Sequence, residues 1–366
     1  MTPDTLNSTV AALLAPGKGI LAADESLPTI GRRFAALDIP SSEENRRDYR
    51  ELLFTTPGIN EYISGVILFD ETIRQKIGSQ SIAETLAQLA IVPGIKVDKG
   101  TIALVNFPGE KITQGLDGLR ERLAEYYKLG ARFTKWRAVL AMGKSIPTHT
   151  CIEENADTLA LFAAMSQEAG LVPIVEPEIL MDGNHDLAQC EEVAGKTLEC
   201  VFGSLFEHQV ALEHVLLKTG MILSGSECPV QASVAAIADA TIRCFRHAVP
   251  ATVPGIVFLS GGQSDVLATE RLNAICAEED LPWTLSFSFG RALQDTALKT
   301  WKGSPANVTA AQAALQNRAR CNSLALQGKY SSASESEPAV NAQREAPLVS
   351  QKAKPAKQRK KDALCL

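Results

Sequence analysis

Along the chain, short apolar runs rich in β-branched residues alternate with longer stretches whose apolar positions recur at helical spacing. The runs GILAAD at 19–24, GVILFD at 65–70, GIKVD at 94–98, RFTKWRAV at 132–139, VPIVEP at 172–177, HVLLK at 214–218, GIVFLS at 255–260 and WTLSFS at 283–288 read as strands. Helices are predicted over 1–18, 41–56, 80–92, 114–130, 154–170, 184–206, 229–248 and 264–278, with two more before about residue 329. Ser41 and Glu44 have capping-box spacing at the start of the second helix, and Pro57-Gly58 stops it. Gly130 and Gly170 close two others.

Eight apolar strands, most of them followed by an amphipathic helix, predict an α/β fold: a (β/α)8 TIM barrel in a single domain. A doubly wound dinucleotide-binding sheet would place a Gly-rich turn after its first strand, and ADESLP is not one. After Tyr330 the alternation stops. Residues 331–366 are poor in large apolar side chains and rich in Ser, Ala and Pro, with six basic residues between 352 and 361. Such a low-complexity basic C-terminal tail is expected to be disordered, so the division is a barrel domain over 1–330 and a tail over 331–366.

Composition narrows the class without changing it. About 45% hydrophobic residues describe an ordinary soluble protein, no apolar run reaches transmembrane length, and the N-terminus lacks the pattern of a secretory signal. The eight cysteines include no CxxC pair and the five histidines are dispersed, which argues for reduced thiols, a cytoplasmic location and no dedicated metal site. Charge is uneven: residues 341–366 carry +5 of a chain total of −6, leaving −11 on the body. The tail could therefore engage an acidic partner, or serve only as a solvated extension.

Charge inside the strands gives the pattern a chemistry. Lys96, Lys135, Arg137, Glu176 and Lys218 all interrupt apolar runs, and buried charges on separate strands are rare unless they converge on one another or on a ligand. Lys218 alone could simply extend its stem along the strand and keep its ammonium in water. In a barrel, however, Asp24, Lys96, Lys135, Arg137, Glu176, Lys218, Ser260 and Ser288 all fall at or near strand ends, where groups from different strands meet. On a pleated strand Lys135 and Arg137 share a face, as do Glu176 and Glu178. A carbonyl-attacking lysine needs its pKa lowered from about 10.4 toward neutrality, which burial and a neighbouring cation can do at a cost of about 4 kcal/mol. Lys135 is the candidate cation for Lys218, while Glu176 and Asp24 are candidate proton carriers or plain ion-pair partners.

FLSGGQS at 258–264 offers the Ser260 hydroxyl with the amides of Gly261 and Gly262, and SFGR at 288–291 offers Ser288, Gly290 and Arg291. A Ser-Gly-Gly segment alone is more often only a turn. The loops after strands seven and eight are where barrels often hold phosphate, and together the two motifs point to a phosphorylated substrate.

GILAADES, EENRRDYRELLF, GVILFDET, GIKVDKG, TQGLDGL, FTKWRAVL, VPIVEPEIL, LLKTGM, FLSGGQS, SFSFGRALQ and NSLALQGKY together resemble class I (Schiff-base) fructose-bisphosphate aldolase, in order, from about residue 10 to 330. The resemblance implies reversible cleavage of fructose 1,6-bisphosphate to dihydroxyacetone phosphate and glyceraldehyde 3-phosphate, in glycolysis and gluconeogenesis, with neither metal nor cofactor. Position by position it implies Lys218 as the Schiff-base lysine, Glu176 as proton shuttle, Asp24 as the acid orienting substrate hydroxyls and Lys135 as the cation beside the nucleophile. Arg137 and Glu178 complete the charged cluster. Ser260, Gly261, Gly290 and Arg291 match the site for the phosphate nearer the ketone. Ser26, Thr29, Arg33 and Lys96 fall at or beside positions facing the other phosphate, with Thr29 where the family usually has serine. The family generally forms homotetramers. Its eukaryotic members commonly end in a tyrosine that assists proton exchange at the enamine, whereas this chain reads Asp362-Ala363-Leu364-Cys365-Leu366, which implies slower enamine protonation or another group in that role. A different sugar substrate for the same lysine, or a scaffold built on the same body, are the competing readings.

Overall fold

The computed structural model describes residues 3–336, so most of the basic tail and its expected disorder lie outside the described residues. Eight strands close a barrel: β1 (Gly19–Ala23), β2 (Ile63–Leu68), β3 (Val92–Lys96), β4 (Phe133–Leu140), β5 (Val172–Ile179), β6 (Leu216–Thr219), β7 (Gly255–Phe258) and β8 (Thr284–Phe289). Each pairs in parallel with its neighbours in sequence, and β1 pairs with β8 to close the ring. The (β/α)8 architecture expected from the alternating pattern is the one observed.

Period-2 alternation along the strands sorts side chains into two cores. Leu21, Val66, Ile95, Trp136, Val175, Leu217, Ile256 and Phe258 face outward and pack with the surrounding helices in one large apolar cluster. Ile20, Ala22, Ile67, Phe133, Val172, Ile174, Leu216 and Val257 face inward and form a second cluster with Val10 and Leu13 of the N-terminal helix Pro3–Leu13. That helix therefore plugs the N-terminal end of the barrel. Glycine leaves the space the plug needs: a Cβ on Gly94 would sit 2.3 Å from the Phe133 ring, and one on Gly65 would sit 2.6 Å from Leu13. Phe133 and Leu13 thus occupy the space left by these two glycines among the other inward apolar side chains, while the opposite end stays open to polar groups.

Local signals set the helix boundaries, and several differ from the sequence expectation. The helix Glu43–Phe54 is capped by Ser42, which accepts from the Asn45 amide, and not by Ser41 with Glu44. Reciprocal capping boxes occur instead at Ser81 with Glu84 and at Asp186 with Gln189. The helix expected from residue 154 begins at His149, where Thr148 caps it. Strand β3 runs from Val92 to Lys96, two residues earlier than expected. The helix Leu27–Ala35 occupies what the sequence suggests is a turn after the first strand, while the helix Asp70–Ile73 and the hairpins Lys76–Ile77/Gln80–Ser81 and Thr101–Ala103/Lys111–Thr113 are too short to show a period.

Packed structure continues past the boundary drawn at residue 330. The turn Ser332–Glu335 lies against the helix Val308–Ala325. Arg318 pairs with Glu335, Arg320 donates to the Ser334 carbonyl, and the Tyr330 hydroxyl donates to Glu335 Oε1 at 2.6 Å.

Candidate active site

Alternation that places Phe133, Val172, Ile174 and Leu216 inside the barrel also decides what stands above them. Two residues on along β4 come Lys135 and then Arg137; β5 continues with Glu176 and Glu178, and β6 with Lys218. Each of these strands is apolar where the plug helix meets it and charged toward its C-terminal end. Asp24 after β1, Lys96 at the end of β3 and Ser288 on β8 join them around a cavity of about 800 Å³ at the open mouth. Of the residues expected from sequence, Gly262 alone does not line this cavity. It is exposed, and a Cβ there would lie 3.6 Å from Arg291 Nη2, so it brings the loop after β7 close to the arginine after β8.

At the centre Glu176 bridges two lysines. Its Oε2 is 2.6 Å from Lys135 Nζ and its Oε1 is 3.2 Å from Lys218 Nζ; Lys135 also lies 3.0 Å from Asp24 Oδ2. All three members of the bridge are buried, Lys218 and Glu176 to 3% exposure and Lys135 to 4%. Burial pushes the Lys218 ammonium down to about 8; Asp24 and Glu178 pull in the other direction and Arg137 adds to the depression. Arg137 is thus a second cation acting on Lys218, in addition to Lys135, with which Lys218 shares Glu176. Lys135 is itself lowered to about 8 by burial, against Asp24, with Lys218 adding to the shift. For Asp24, burial alone would raise the pKa, but Lys135, Lys218 and Lys96 outweigh it and hold the carboxyl well below the usual carboxylate range.

Around this centre most charges are already matched. Arg137 pairs with Glu178, and Lys96 Nζ lies 2.6 Å from Asp98 Oδ1. Arg33 is held between Glu25 and Asp295, and Glu25 also takes Arg50 at 2.7 Å. Ser26 stands at the N-cap position of the helix Leu27–Ala35 without a side-chain bond to its backbone, and its Oγ lies 3.1 Å from Thr29 Oγ1. Asp98, Glu25, Arg32 and Lys111 also line the cavity and were missed from sequence. Asp98 and Glu25 follow Lys96 and Asp24 within two residues, a signal that could have found them. Lys111 belongs to a hairpin that has no legible period.

On the far side, the loop after β7 turns through Gly261 at φ 56° and Gly262 at φ 96°, conformations that glycine adopts without strain. The Gln263 amide closes the turn onto the Ser260 carbonyl at 3.0 Å. Arg291 opens the helix Arg291–Trp301, so its side chain and the first helix amides face the same space. Ser288 Oγ is buried with no hydrogen-bond partner, an unmet polar group on the cavity wall. Hydroxyls, glycine amides and an arginine there suit a dianionic oxyacid. Among the described residues no group of three or more His, Cys, Asp or Glu side chains is arranged to hold a metal ion, and no helix is long and apolar enough to cross a membrane.

A family profile described as fructose-bisphosphate aldolase class-I matches residues 5–348. The chain is 54% identical, over 332 residues, to a "Probable fructose-bisphosphate aldolase class 1" of Xanthomonas campestris pv. campestris, spanning 90% of this chain and 99% of that one. It is 51% identical over 329 residues to "Fructose-bisphosphate aldolase 5, cytosolic" of Arabidopsis thaliana, spanning 89% and 92%. Among solved structures it is similar to fructose-bisphosphate aldolase from Plasmodium falciparum, determined in complex with TRAP and a small-molecule inhibitor. The TM-score is 0.88 at 48% identity, covering 90% of this chain and 95% of that one.

Proposed function

The chain belongs to the class I fructose-bisphosphate aldolase family and is a metal-independent lyase that cleaves fructose 1,6-bisphosphate, and we propose that Lys218 is the amine that performs the cleavage. The observation carrying this assignment is the unequal sharing of carboxylates between two buried lysines. Lys135 has two within 3.0 Å, Asp24 and Glu176, whereas Lys218 has Glu176 alone at 3.2 Å. With similar burial, the lysine facing less negative charge gives up its proton first. Lys218 is therefore the nucleophile, and Lys135 keeps its charge beside it.

In this reading neutral Lys218 adds to the ketone carbon, and Glu176, in contact with both amines, delivers a proton to the departing hydroxyl so that water leaves and an iminium forms. The iminium draws the electron pair of the adjacent carbon–carbon bond as a carboxylate removes the proton of the neighbouring hydroxyl. Glyceraldehyde 3-phosphate departs, the enamine takes up a proton at carbon, and water releases dihydroxyacetone phosphate and regenerates the amine. Asp24, ionised throughout, orients the hydroxyls and holds Lys135 in place. Arg137 and Glu178 fix each other beside the reacting centre. Ser260, Gly261, Ser288, Gly290 and Arg291, with Gly262 close to Arg291, receive the ketone-side phosphate; Ser26, Thr29, Arg33 and Lys96 surround the other end of the substrate.

Homotetrameric assembly belongs to the same proposal and rests on family resemblance. A cytosolic location is supported by the Arabidopsis relative whose name states one. An acidic partner for the stretch 341–366 rests on its charge alone, and a salt-sensitive pull-down with and without that stretch tests it.

The deciding experiment is borohydride reduction in the presence of dihydroxyacetone phosphate, with and without a chelator, followed by peptide mapping. A reduced adduct on the Lys218 peptide, unaffected by chelation, is the expected result. An adduct confined to Lys135, or none from folded protein, overturns the assignment.

A further inference from the structure

A bisphosphate brings two dianions into a cavity whose inner cations are already committed to carboxylates. Lys135, Lys218, Lys96, Arg137 and Arg33 each lie within ion-pair distance of at least one acid. Among the described residues, the cavity-lining cations with no carboxylate in reach are Arg32, Lys111 and Arg291, all on the exposed rim. Arg291 lies with the loops after β7 and β8. Arg32 is engaged sideways, donating to Thr29 Oγ1 at 3.4 Å.

Lys111 stands on the other wall. Its hairpin, Thr101–Ala103 paired with Lys111–Thr113, connects β3 to β4, and the ring order places β3 and β4 opposite β7 and β8. An extended substrate with one phosphate on the β7–β8 loops and its ketone at Lys218 therefore directs its other end toward this hairpin. The position of Lys111 is held from behind. Its carbonyl accepts from Asn155 Nδ2 at 2.9 Å, and Asn155 is 1% exposed on the helix His149–Glu168. Two residues on, Thr113 Oγ1 donates to the Arg137 carbonyl at 2.7 Å, tying the hairpin to the upper part of β4. The backbone is fixed at the cavity edge while the ammonium is free of any acid, an arrangement suited to an incoming anion.

We propose that Lys111 holds the phosphate of the aldehyde half of the substrate and so sets the preference for fructose 1,6-bisphosphate over fructose 1-phosphate. The proposal rests on the aldolase reading above and adds a specificity-determining residue to it. Lys111 makes no contact with the reacting atoms and takes no part in bond cleavage. The monophosphate has nothing for Lys111 to hold, so the two substrates separate the role of this side chain from everything common to them.

The test compares Lys111→Ala, Lys111→Arg and the outer-surface control Lys128→Ala on both substrates, and in the condensation direction. For Lys111→Ala, kcat/KM on the bisphosphate falls about tenfold and on fructose 1-phosphate less than twofold. In condensation, KM for glyceraldehyde 3-phosphate rises while that for dihydroxyacetone phosphate is unchanged. Lys111→Arg retains most of the bisphosphate activity, Lys128→Ala behaves as the parent, and the deficit of Lys111→Ala shrinks at high salt, as expected for an exposed charge. Equal losses on both substrates, or no loss on the bisphosphate, overturn the proposal. Failure of the aldolase reading itself shows differently, as parent protein that neither cleaves the bisphosphate nor forms the borohydride adduct.

Discussion

Lys218 Nζ lies 3.2 Å from Glu176 Oε1, and both side chains are buried to 3% exposure. A carboxylate in contact with the amine can carry protons to and from it in a space that excludes bulk water. Glu176→Gln keeps the shape and removes the proton carrier. It is expected to lower kcat by 10²–10⁴-fold, the range of general acid–base contributions. Steady-state rates measured alongside borohydride trapping check the cause. The adduct should still form on Lys218, but slowly; rapid trapping at the parent rate would mean that Glu176 has no part in iminium formation.

Asp24 supplies the second carboxylate that separates Lys135 from Lys218, at 3.0 Å from the Lys135 ammonium. Without its charge, each lysine would have one carboxylate within ion-pair distance, Glu176. Asp24→Asn is therefore expected to reduce turnover and to let a second adduct appear on the peptide containing Lys135 during borohydride trapping. Trapping that remains confined to Lys218 would show that geometry around the ketone, and not the share of carboxylates, selects the nucleophile.

Burial of an active amine has a measurable cost in stability. Lys218 falls from an ordinary 10.5 to about 8, chiefly through burial. Between these values the unfolded chain binds more protons than the folded one, so stability rises with pH across that window, and the full destabilisation is present below about 8. Lys218→Met removes it. At pH 7 the variant should be inactive yet more stable by about 1–3 kcal/mol, with the advantage fading toward pH 10.5. Parent kcat/KM should rise with pH through about 8 as the amine deprotonates. Urea unfolding of both proteins at pH 7 and pH 10 provides the check, and an advantage that does not change with pH would remove the titration argument.

The eight strands were legible because fully buried parallel strands are short, continuous apolar runs, and the charged residues within them were conspicuous against that background. Lys96, Lys135, Arg137, Glu176, Glu178 and Lys218 all line the one cavity for that reason. Partnership was harder to read. Arg33 lines the cavity as expected, but of the two acids that hold it Glu25 is eight residues away and Asp295 is reached only through a contact spanning most of the chain. Lys111 was invisible, since a three-residue strand has no period and only the fold carries it over the mouth. The turn Ser332–Glu335 escaped for a related reason: its anchors, Arg318 and Arg320, lie in the preceding helix, and its own composition reads as linker.

The closed end of the barrel makes the last prediction, which ties core packing to the site above it. Gly94 is followed two residues later by Lys96, on the same inward face of β3, and a Cβ at position 94 would sit 2.3 Å from the Phe133 ring. Phe133 in turn lies two residues below Lys135 on β4, which pairs with β3 through Gly94 and Phe133 themselves. Replacing Gly by Ala in a strand ordinarily helps by reducing the freedom of the unfolded chain, by about 0.4–1 kcal/mol. Here overpacking should win, at about 1–3 kcal/mol, because the ring is enclosed by Leu13 and the other inward residues and has nowhere to move. Gly94→Ala is therefore expected to lower the urea midpoint and, by pushing β3 and β4 apart, to weaken turnover as well. Phe133→Leu creates room at a cost of its own, so the double variant should be more stable than the sum of the two single losses, with part of the activity restored. Strictly additive losses would show that the ring yields to the added methyl, and that the lower barrel does not set the spacing of the lysines above it.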